Sequence, residues 1–184
     1  MKETAKNGKN KFVLVLIFVV IIAIGVVLFF LFNKKPGADK TAIQFLTQMF
    51  ACTQEDCEEF EKALTGGSQT DSSSIGISNG GDEALRAYFS EKYSDMMTEQ
   101  GLEKALMQRV LPQGLMLADQ NQTDLKVQNV ELSGRTASSD TMQFNFTVTT
   151  ADTKDNTFEI TGVIGLVEQD GQFKVNQVSV DQIA

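Results

Sequence analysis

Residues 142–148 read MQFNFTV, and residues 158–166 read FEITGVIGL. In both stretches every second residue is apolar or glycine, and the apolar positions of the first are Met142, Phe144, Phe146 and Val148. Successive side chains of a β-strand point to opposite faces of a sheet, so this alternation is typical of antiparallel strands with one buried face. The two stretches therefore predict the central pair of an antiparallel sheet.

The sequences on either side of this pair alternate in the same way, but each changes phase once. Their apolar positions are Leu125, Val127, Val130 and Leu132 before the pair, and Phe173, Val175, Val178 and Val180 after it. A β-bulge absorbs such a shift and bends the strand, so we predict a curved sheet of four strands with a bulge in each outer strand. Asp170-Gly171 predicts the last hairpin turn. Gly134 together with residues 138–140 predicts the first turn, and residues 152–155 predict the second.

The first half of the chain has a helical period instead, because apolar residues recur three and four positions apart. Four helices are predicted: over about 42–50, after the capping residue Thr53, from Asp82 onwards, and over about Gly101–Val110. Pro112 is expected to end the last helix. Helices followed by an antiparallel sheet define an α+β fold, which we place at residues 41–184. Residues 65–81 are rich in glycine and serine and predict a flexible loop.

One segment near the N-terminus, Phe12–Phe32, has no charged residue over 21 positions. A helix rises about 1.5 Å per residue, so this length matches the roughly 30 Å hydrocarbon core of a bilayer. A cleavable signal peptide has a shorter apolar core and a small-residue cleavage site. We therefore predict an uncleaved signal anchor, a transmembrane helix at 12–32, with a basic tail at 1–11 and a linker at 33–40. The chain is predicted to be a single-pass membrane protein.

Charge is distributed unevenly along the chain. Residues 1–37 contain six lysines and one glutamate, whereas residues 38–184 contain ten basic and 23 acidic residues. Nucleic-acid binding depends on clustered basic residues, so the acidic domain is not expected to bind nucleic acid. A short basic segment before a first membrane span favours the cytoplasmic side. We therefore expect the domain to lie on the outer side of a bacterial cytoplasmic membrane.

The domain contains two cysteines, Cys52 and Cys57, and the chain contains no histidine. Zinc requires about four nitrogen or sulfur ligands, so no metal site is expected. For the cysteines the alternatives are a short-loop disulfide and two free thiols packed as small apolar groups. Residues five apart in one helix cannot be bridged, so a disulfide requires the helix break that Thr53 and Asp56 predict.

The order of the predicted elements resembles that of the nuclear-transport-factor-2-like superfamily. The resemblance rests on the two helices of residues 41–64 and on the closing hairpin GLVEQDGQFKV, residues 165–175. This hairpin is similar to the superfamily's ending of acidic turn, glycine, aromatic residue, lysine and aliphatic residue. The resemblance implies a cone, in which the curved sheet wraps over the long helix. An anchor followed by such a cone also resembles bitopic assembly subunits of type IV secretion and conjugation systems, and uncharacterised anchored proteins of Gram-positive bacteria.

Enzymes of this superfamily hold a carboxylate with tyrosine or histidine donors deep in the cone and transfer protons. Here histidine is absent and neither tyrosine lies in a recognisable motif, so we assign no catalytic residue and no cofactor. An isomerase-type proton-transfer enzyme is the enzymatic alternative. We expect a non-enzymatic module that binds protein partners in the cell envelope, with a small-ligand receptor as its alternative. The candidate residues for lining a cavity are Tyr88, Tyr93, Met96 and Met97.

Overall fold

The computed structural model describes residues 37–65 and 79–184. Two predicted regions lie wholly outside these residues, the tail at 1–11 and the transmembrane helix at 12–32, and two lie partly outside them, the linker at 33–40 and the loop at 65–81. Within the described part of the chain, no helix has both the length and the hydropathy needed to cross a membrane.

Five helices come first in the described chain, and four strands follow. The helices are α1 (Ala38–Phe50), α2 (Gln54–Leu64), α3 (Asn79–Tyr93), α4 (Glu99–Met107) and α5 (Gln113–Asn121). The strands are β1 (Leu125–Ala137), β2 (Thr141–Asp152), β3 (Thr157–Gln169) and β4 (Gln172–Ile183). They pair antiparallel in the order β1-β2-β3-β4. The predicted α+β fold with a four-stranded antiparallel sheet is confirmed.

The strands follow the predicted alternation and its phase changes. Phe144, Phe146 and Val148 of β2 are buried, and the residues between them are exposed or half-buried. The pairing of β1 with β2 shifts by one residue after Val127. The pairing of β4 with β3 shifts at Asn176, which has no partner in the ladder. Both predicted bulges are therefore confirmed.

Turns are present at all three predicted places, including residues 138–140 between β1 and β2, where Ser138 N–H donates to the Thr141 carbonyl at 2.9 Å. Asp170 and Gly171 both have positive φ, 53° and 70°, as a two-residue hairpin turn requires. In the β2–β3 turn the carboxylate of Asp152 accepts hydrogen bonds from the N–H groups of Lys154 and Asn156. The prediction that Gly134 belongs to a turn is wrong. Gly134 lies within β1, where it forms a second bulge, because a glycine with positive φ suits a bulge as well as a turn.

The helical half differs from the prediction in three respects. α1 begins at Ala38, so the linker is shorter than predicted, and α3 begins at Asn79, inside the predicted loop. The fourth helix ends at Met107 rather than near position 110. We predicted about four helices, and α5 is the helix that was missed. It begins after Pro112, because a fixed φ and a missing N–H suit the first turn of a helix as well as its end.

α1 lies across the apolar face of the sheet and contacts all four strands. Its buried residues are Ala38, Thr41, Ala42, Phe45, Leu46, Met49 and Phe50. The buried apolar residues of the sheet include Phe144, Phe146, Val148, Ile160, Ile164, Leu166, Val175 and Val178. Burying a side chain of this size contributes about 1.5–3 kcal/mol, so this layer is the main source of stability.

The two edges of the sheet are covered to different extents. The segment between α3 and α4 pairs with β4: Thr98 N–H donates to the Val175 carbonyl at 2.9 Å, and Val175 N–H donates to the Met96 carbonyl at 2.8 Å. On β1, Leu125 N–H donates to the Cys52 carbonyl at 2.8 Å. Within residues 37–65 and 79–184, the rest of the β1 edge has no further backbone pairing, so this edge is the more open one.

Candidate functional site

A cleft of about 180 Å³ opens where the end of α1 meets α2, α3 and α5. Its lining residues are Gln48, Ala51, Cys52, Asp56, Lys92, Tyr93 and Leu115. The non-helical residues 51–53 separate α1 from α2, which lets α2 turn back and pack along α3. Four of the lining residues carry groups that ionise, so this cleft is the candidate site.

A capping box starts α2 at the wall of the cleft. Thr53 Oγ1 accepts a hydrogen bond from the N–H of Asp56 at 3.1 Å, and the Asp56 carboxylate accepts one from the N–H of Thr53 at 3.0 Å. Both bonds satisfy N–H groups that have no partner within the helix. The box fixes the Asp56 carboxylate beside the cleft.

Lys92, near the end of α3, reaches the same carboxylate from the other side. Its ammonium group donates a hydrogen bond to Oδ1 of Asp56 and lies 4.7 Å from the ring centroid of Tyr88. The Tyr88 hydroxyl donates to the main-chain carbonyl of Asp56 at 3.3 Å. Nε2 of Gln48 donates to the main-chain carbonyl of Lys92 at 2.9 Å. These contacts join α1, α2 and α3.

The surroundings of Asp56 and Lys92 keep both side chains charged. Burial by itself raises the pKa of Asp56, but hydrogen bonds with Lys92 and Thr53 outweigh it and hold the pKa below its usual value. Burial by itself lowers the pKa of Lys92, but hydrogen bonds with Asp56 and Tyr88 raise it above its usual value. At neutral pH, Asp56 therefore cannot serve as a general acid and Lys92 cannot serve as a general base.

Tyr93 and Cys52 form the deeper wall of the cleft, and both are buried. Burial raises the pKa of the Tyr93 hydroxyl, and it raises the pKa of the Cys52 thiol to about 12. Both groups therefore stay protonated at neutral pH. Because the thiolate is the nucleophilic form of cysteine, Cys52 is a poor nucleophile here.

The four residues predicted to line a cavity fall into two groups. Tyr93 lines the cleft, and Tyr88 lies beside it under the ammonium group of Lys92. Met96 and Met97 lie instead in the segment that covers the β4 edge, where Met97 is buried and forms a bridge with Val175. Neither methionine lines this cleft.

Cys52 and Cys57 are both free, buried thiols in the structure. The predicted helix break between them is present at residues 51–53. The Cys52 thiol donates to the Met49 carbonyl at 3.4 Å, whereas the Cys57 thiol donates to the Leu115 carbonyl at 3.5 Å. The structure therefore has the second of the two alternatives, with the thiols turned to different partners.

Three residues of the cleft were not among the predicted site residues: Gln48, Asp56 and Lys92. The sequence did contain a signal for Asp56, because it occupies the third position after the capping residue Thr53. A weaker signal for Lys92 was its spacing of four residues from Tyr88, which places both side chains on one face of α3. No local pattern marks Gln48.

The cleft offers hydrogen-bond donors rather than reactive groups. Tyr93 contributes a protonated hydroxyl and Lys92 an ammonium group, and the charge of Lys92 is balanced by Asp56. Within the part of the chain that the structure describes, no group of three or more histidine, cysteine or acidic side chains could hold a metal ion. The arrangement suits the joining of three helices, or a hydrogen bond to a small polar group, better than covalent or proton-transfer chemistry.

A second, wider depression of about 430 Å³ lies at the opposite end of α1, and we call it the α1–β1 groove. Its lining residues are Asp39 and Ile43 from α1, Leu132, Ser133, Gly134 and Arg135 from β1, and Phe144 from β2. Ile43 is 40 % exposed, and Phe144 is buried at the floor. The lining of the groove therefore combines three apolar residues, Ile43, Leu132 and Phe144, with one acidic and one basic residue.

No protein-family model matches this chain, and the comparison with curated proteins finds no significant match. Similarity to known proteins thus assigns no family.

Proposed function

We propose that this chain is a non-enzymatic interaction module, held in a bacterial cytoplasmic membrane by one N-terminal anchor with its domain outside. There it binds protein partners of the cell envelope, for example as a scaffold in an envelope-spanning or conjugation assembly. Membership of the nuclear-transport-factor-2-like superfamily is part of the same proposal. The observation that carries it is the filled interior between α1 and the sheet.

The interior supports a domain that acts through its surface. Phe45, Phe50, Phe89 and Phe146 are at most 2 % exposed, and the ring centroids of Phe45 and Tyr93 lie 5.3 Å apart. Pockets for small ligands usually have volumes of about 300–1,000 Å³ and an open, mostly apolar lining. The cleft beside this packed layer has about 180 Å³, below this range, and its charges neutralise each other. The α1–β1 groove, of about 430 Å³, lies within the range but has exposed residues of both charges in its lining.

Exposed apolar side chains on the helices provide contacts for a protein partner. Leu64 of α2, Met107 of α4 and Met116 of α5 are 49 %, 78 % and 49 % exposed. Methionine side chains are flexible and adapt to irregular partner surfaces. Three different helices each expose one apolar side chain, and we propose that a protein partner contacts them on the helical side of the domain.

The partner can be sought by proximity labelling in the native host, with the labelling enzyme fused to the C-terminus of the full chain. We expect a reproducible set of envelope proteins, and we expect Leu64→Glu combined with Met107→Glu to remove it. Gln177→Glu is the matched control, because it adds a negative charge at an exposed position of β4. It should leave the set of labelled proteins intact. A set that is absent, or unchanged by the double variant, would rule out the proposed surface.

Topology is tested separately by adding to intact cells a protease that cannot cross the membrane. The proposal expects loss of the domain from intact cells, with the glycine- and serine-rich stretch at 65–81 as the expected first cut. A domain that is cut only after lysis faces the cytoplasm, and both the envelope partner and the outward orientation would then be wrong.

A small-ligand receptor is the second candidate, and the cleft is the observation that favours it. Tyr93 is buried and its hydroxyl has no hydrogen-bond partner among the described residues, although it lines the cleft. A ligand present at a hundred times its dissociation constant stabilises the folded state by about 2.7 kcal/mol. A thermal-shift screen of polar metabolites against the full chain and its Tyr93→Phe variant tests this candidate, which requires a shift that the variant lacks.

A further inference from the structure

We infer that the open edge of β1 binds an extended segment of a partner protein, which adds to the sheet as a further strand. Unpaired N–H and C=O groups along a sheet edge are a ready site for an incoming strand. Residues 96–98 already cover the β4 edge, whereas within residues 37–65 and 79–184 the outer edge of β1 has backbone pairing only at Leu125. The remainder of this edge therefore presents backbone groups that a strand can pair with.

The apolar layer of the sheet is incomplete at the same edge. In the pairing of β1 with β2, Val130 lies opposite Val148 and Leu132 lies opposite Phe146. Val148 and Phe146 are at most 2 % exposed, but Val130 and Leu132 are only half-buried. At the covered β4 edge, by contrast, Val175 is fully buried. A strand that carries apolar residues on this face would complete the layer beside β1, as the covering segment does beside β4.

Two bulges in β1 fix where the partner segment pairs. The pairing with β2 shifts after Val127 and again after Ser133, so residues 129–133 form a regular run between two irregularities. A bulge bends its strand and interrupts the ladder, so the partner segment pairs along 129–133. Since side chains of a strand alternate between faces, Val130 and Leu132 require apolar residues at every second position of the partner.

The α1–β1 groove lies at the end of this run and accepts a side chain of the partner. Arg135 is the basic residue on its β1 side, and it forms no ion pair with another described residue. Its Nη2 lies 3.4 Å from Sδ of Met142, which is only a weak acceptor, so the guanidinium group keeps its capacity to bind a carboxylate. Asp39 lies on the α1 side, in the first turn of the helix, where the helix dipole favours its charge. We therefore expect an acidic residue of the partner beside Arg135.

This binding mode defines the chemistry of the partner more closely than the contact through Leu64 and Met107 does. When a strand is added to a sheet, main-chain hydrogen bonds provide affinity and pockets for alternate side chains provide selectivity. The edge therefore favours a short, extended segment with alternating apolar residues and one acidic residue. Neither Leu64 nor Met107 lines the groove, so this site does not depend on the helical surface.

The test selects peptides from a random phage-display library on the full chain in phosphatidylcholine nanodiscs. We expect the selected peptides to share alternating apolar residues and an acidic position. Arg135→Glu should weaken the binding of a labelled selected peptide by about tenfold in fluorescence polarisation, and a selection on this variant should enrich lysine or arginine instead. Lys154→Glu is the matched control, because it also reverses an exposed positive charge but lies in the β2–β3 turn. It should change neither the affinity nor the selected residues.

Hydrogen exchange of the full chain, with and without a selected peptide, locates the contact. With the peptide at about ten times its dissociation constant, the outward N–H groups of residues 129–133 should exchange about tenfold more slowly. A library without enriched peptides, or peptides that leave this exchange unchanged, would overturn the added strand. Slow exchange of the outward groups before any peptide is added would also overturn it, since a second copy or another segment of the chain would then occupy the edge. The labelling of partners through Leu64 and Met107 is measured separately, so either proposal can fail alone.

Discussion

The layer between α1 and the sheet and the junction of α1, α2 and α3 stabilise one domain by different means. The layer is apolar and closed, with Phe45 and Phe146 at most 2 % exposed. The junction is polar and partly open, since the side chains of Asp56 and Lys92 are 29 % and 26 % exposed. The layer should therefore respond to lost volume, and the junction to lost charge and to pH.

Phe146→Ala tests the layer and should have the largest effect. Removing a large buried ring leaves a cavity, so we expect the free energy of unfolding to fall by about 3–5 kcal/mol in urea titrations. Phe144→Ala removes another buried ring from the same strand and should lower the free energy of unfolding by a similar amount. Gln143→Ala, on the exposed face of β2, should change it by less than about 0.5 kcal/mol. A loss below about 1 kcal/mol at both phenylalanines would mean that β2 does not form the core.

Gly114→Ala tests the place where the two regions meet, and an intermediate effect is expected. A Cβ at position 114 would overlap the main-chain carbonyl of Met49 and lie 3.0 Å from the Cys52 thiol. This clash outweighs the gain of about 1 kcal/mol that alanine brings to a helix, so we expect a net loss of about 1–3 kcal/mol. Gly165→Ala is the control, because its Cβ would meet only ordinary contacts. Equal stabilities for the two variants would contradict the tight packing of α5 on α1.

Substitutions in the polar junction should lower the free energy of unfolding by a smaller amount. This loss has two parts, one from the ion pair and one from the helix cap. Lys92→Met removes the ion pair, which is partly exposed, and should lower the free energy of unfolding by about 1 kcal/mol. Asp56→Ala removes the ion pair and also the capping box, so its loss should be larger by about 1 kcal/mol. The two variants, measured by urea titration together with the double variant, separate the cap from the pair. Equal losses would mean that the cap contributes nothing.

The pH dependence should be the smallest effect, and its sign follows from the shifted pKa values. The pKa of Asp56 is lowered, so its contribution is present above the usual value of 3.8 and is lost as the pH falls through the lower folded pKa. The pKa of Lys92 is raised, so its contribution is present below the usual value of 10.5 and is lost as the pH rises through the higher folded pKa. Between about pH 4 and 10 this contribution is constant.

Urea midpoints of the wild-type chain and of Lys92→Met at pH 7 and pH 3 measure this effect. The difference between the two proteins should begin to shrink at pH 3, because below about 3.8 the carboxyl group of Asp56 binds a proton more readily in the unfolded chain than in the folded one. We expect the change to be below about 1 kcal/mol, since solvent screens a partly exposed pair. A difference that is the same at both pH values would show that the pair adds nothing to stability.

The sheet could be predicted from the sequence because its information is local. The alternation of Phe144, Phe146 and Val148 identifies β2, and Asp170-Gly171 fixes the hairpin that follows β3. α5 was missed because Pro112 was interpreted only as an end and the helix is too short for a clear period. The cleft depends on the meeting of Asp56 and Lys92, which are 36 residues apart, and no local pattern encodes that contact.

The contact of α1 with all four strands has a consequence for the chain during its synthesis. α1 leaves the ribosome before any of the four strands, and β4, the last of the four, is translated about 120 residues later. At about 5–20 residues per second, this delay is roughly 6–24 s. During this interval the apolar stripe of α1 lacks the final part of its cover and is open to chaperones and proteases. Translation that halts before β4 therefore leaves part of the apolar stripe of α1 uncovered.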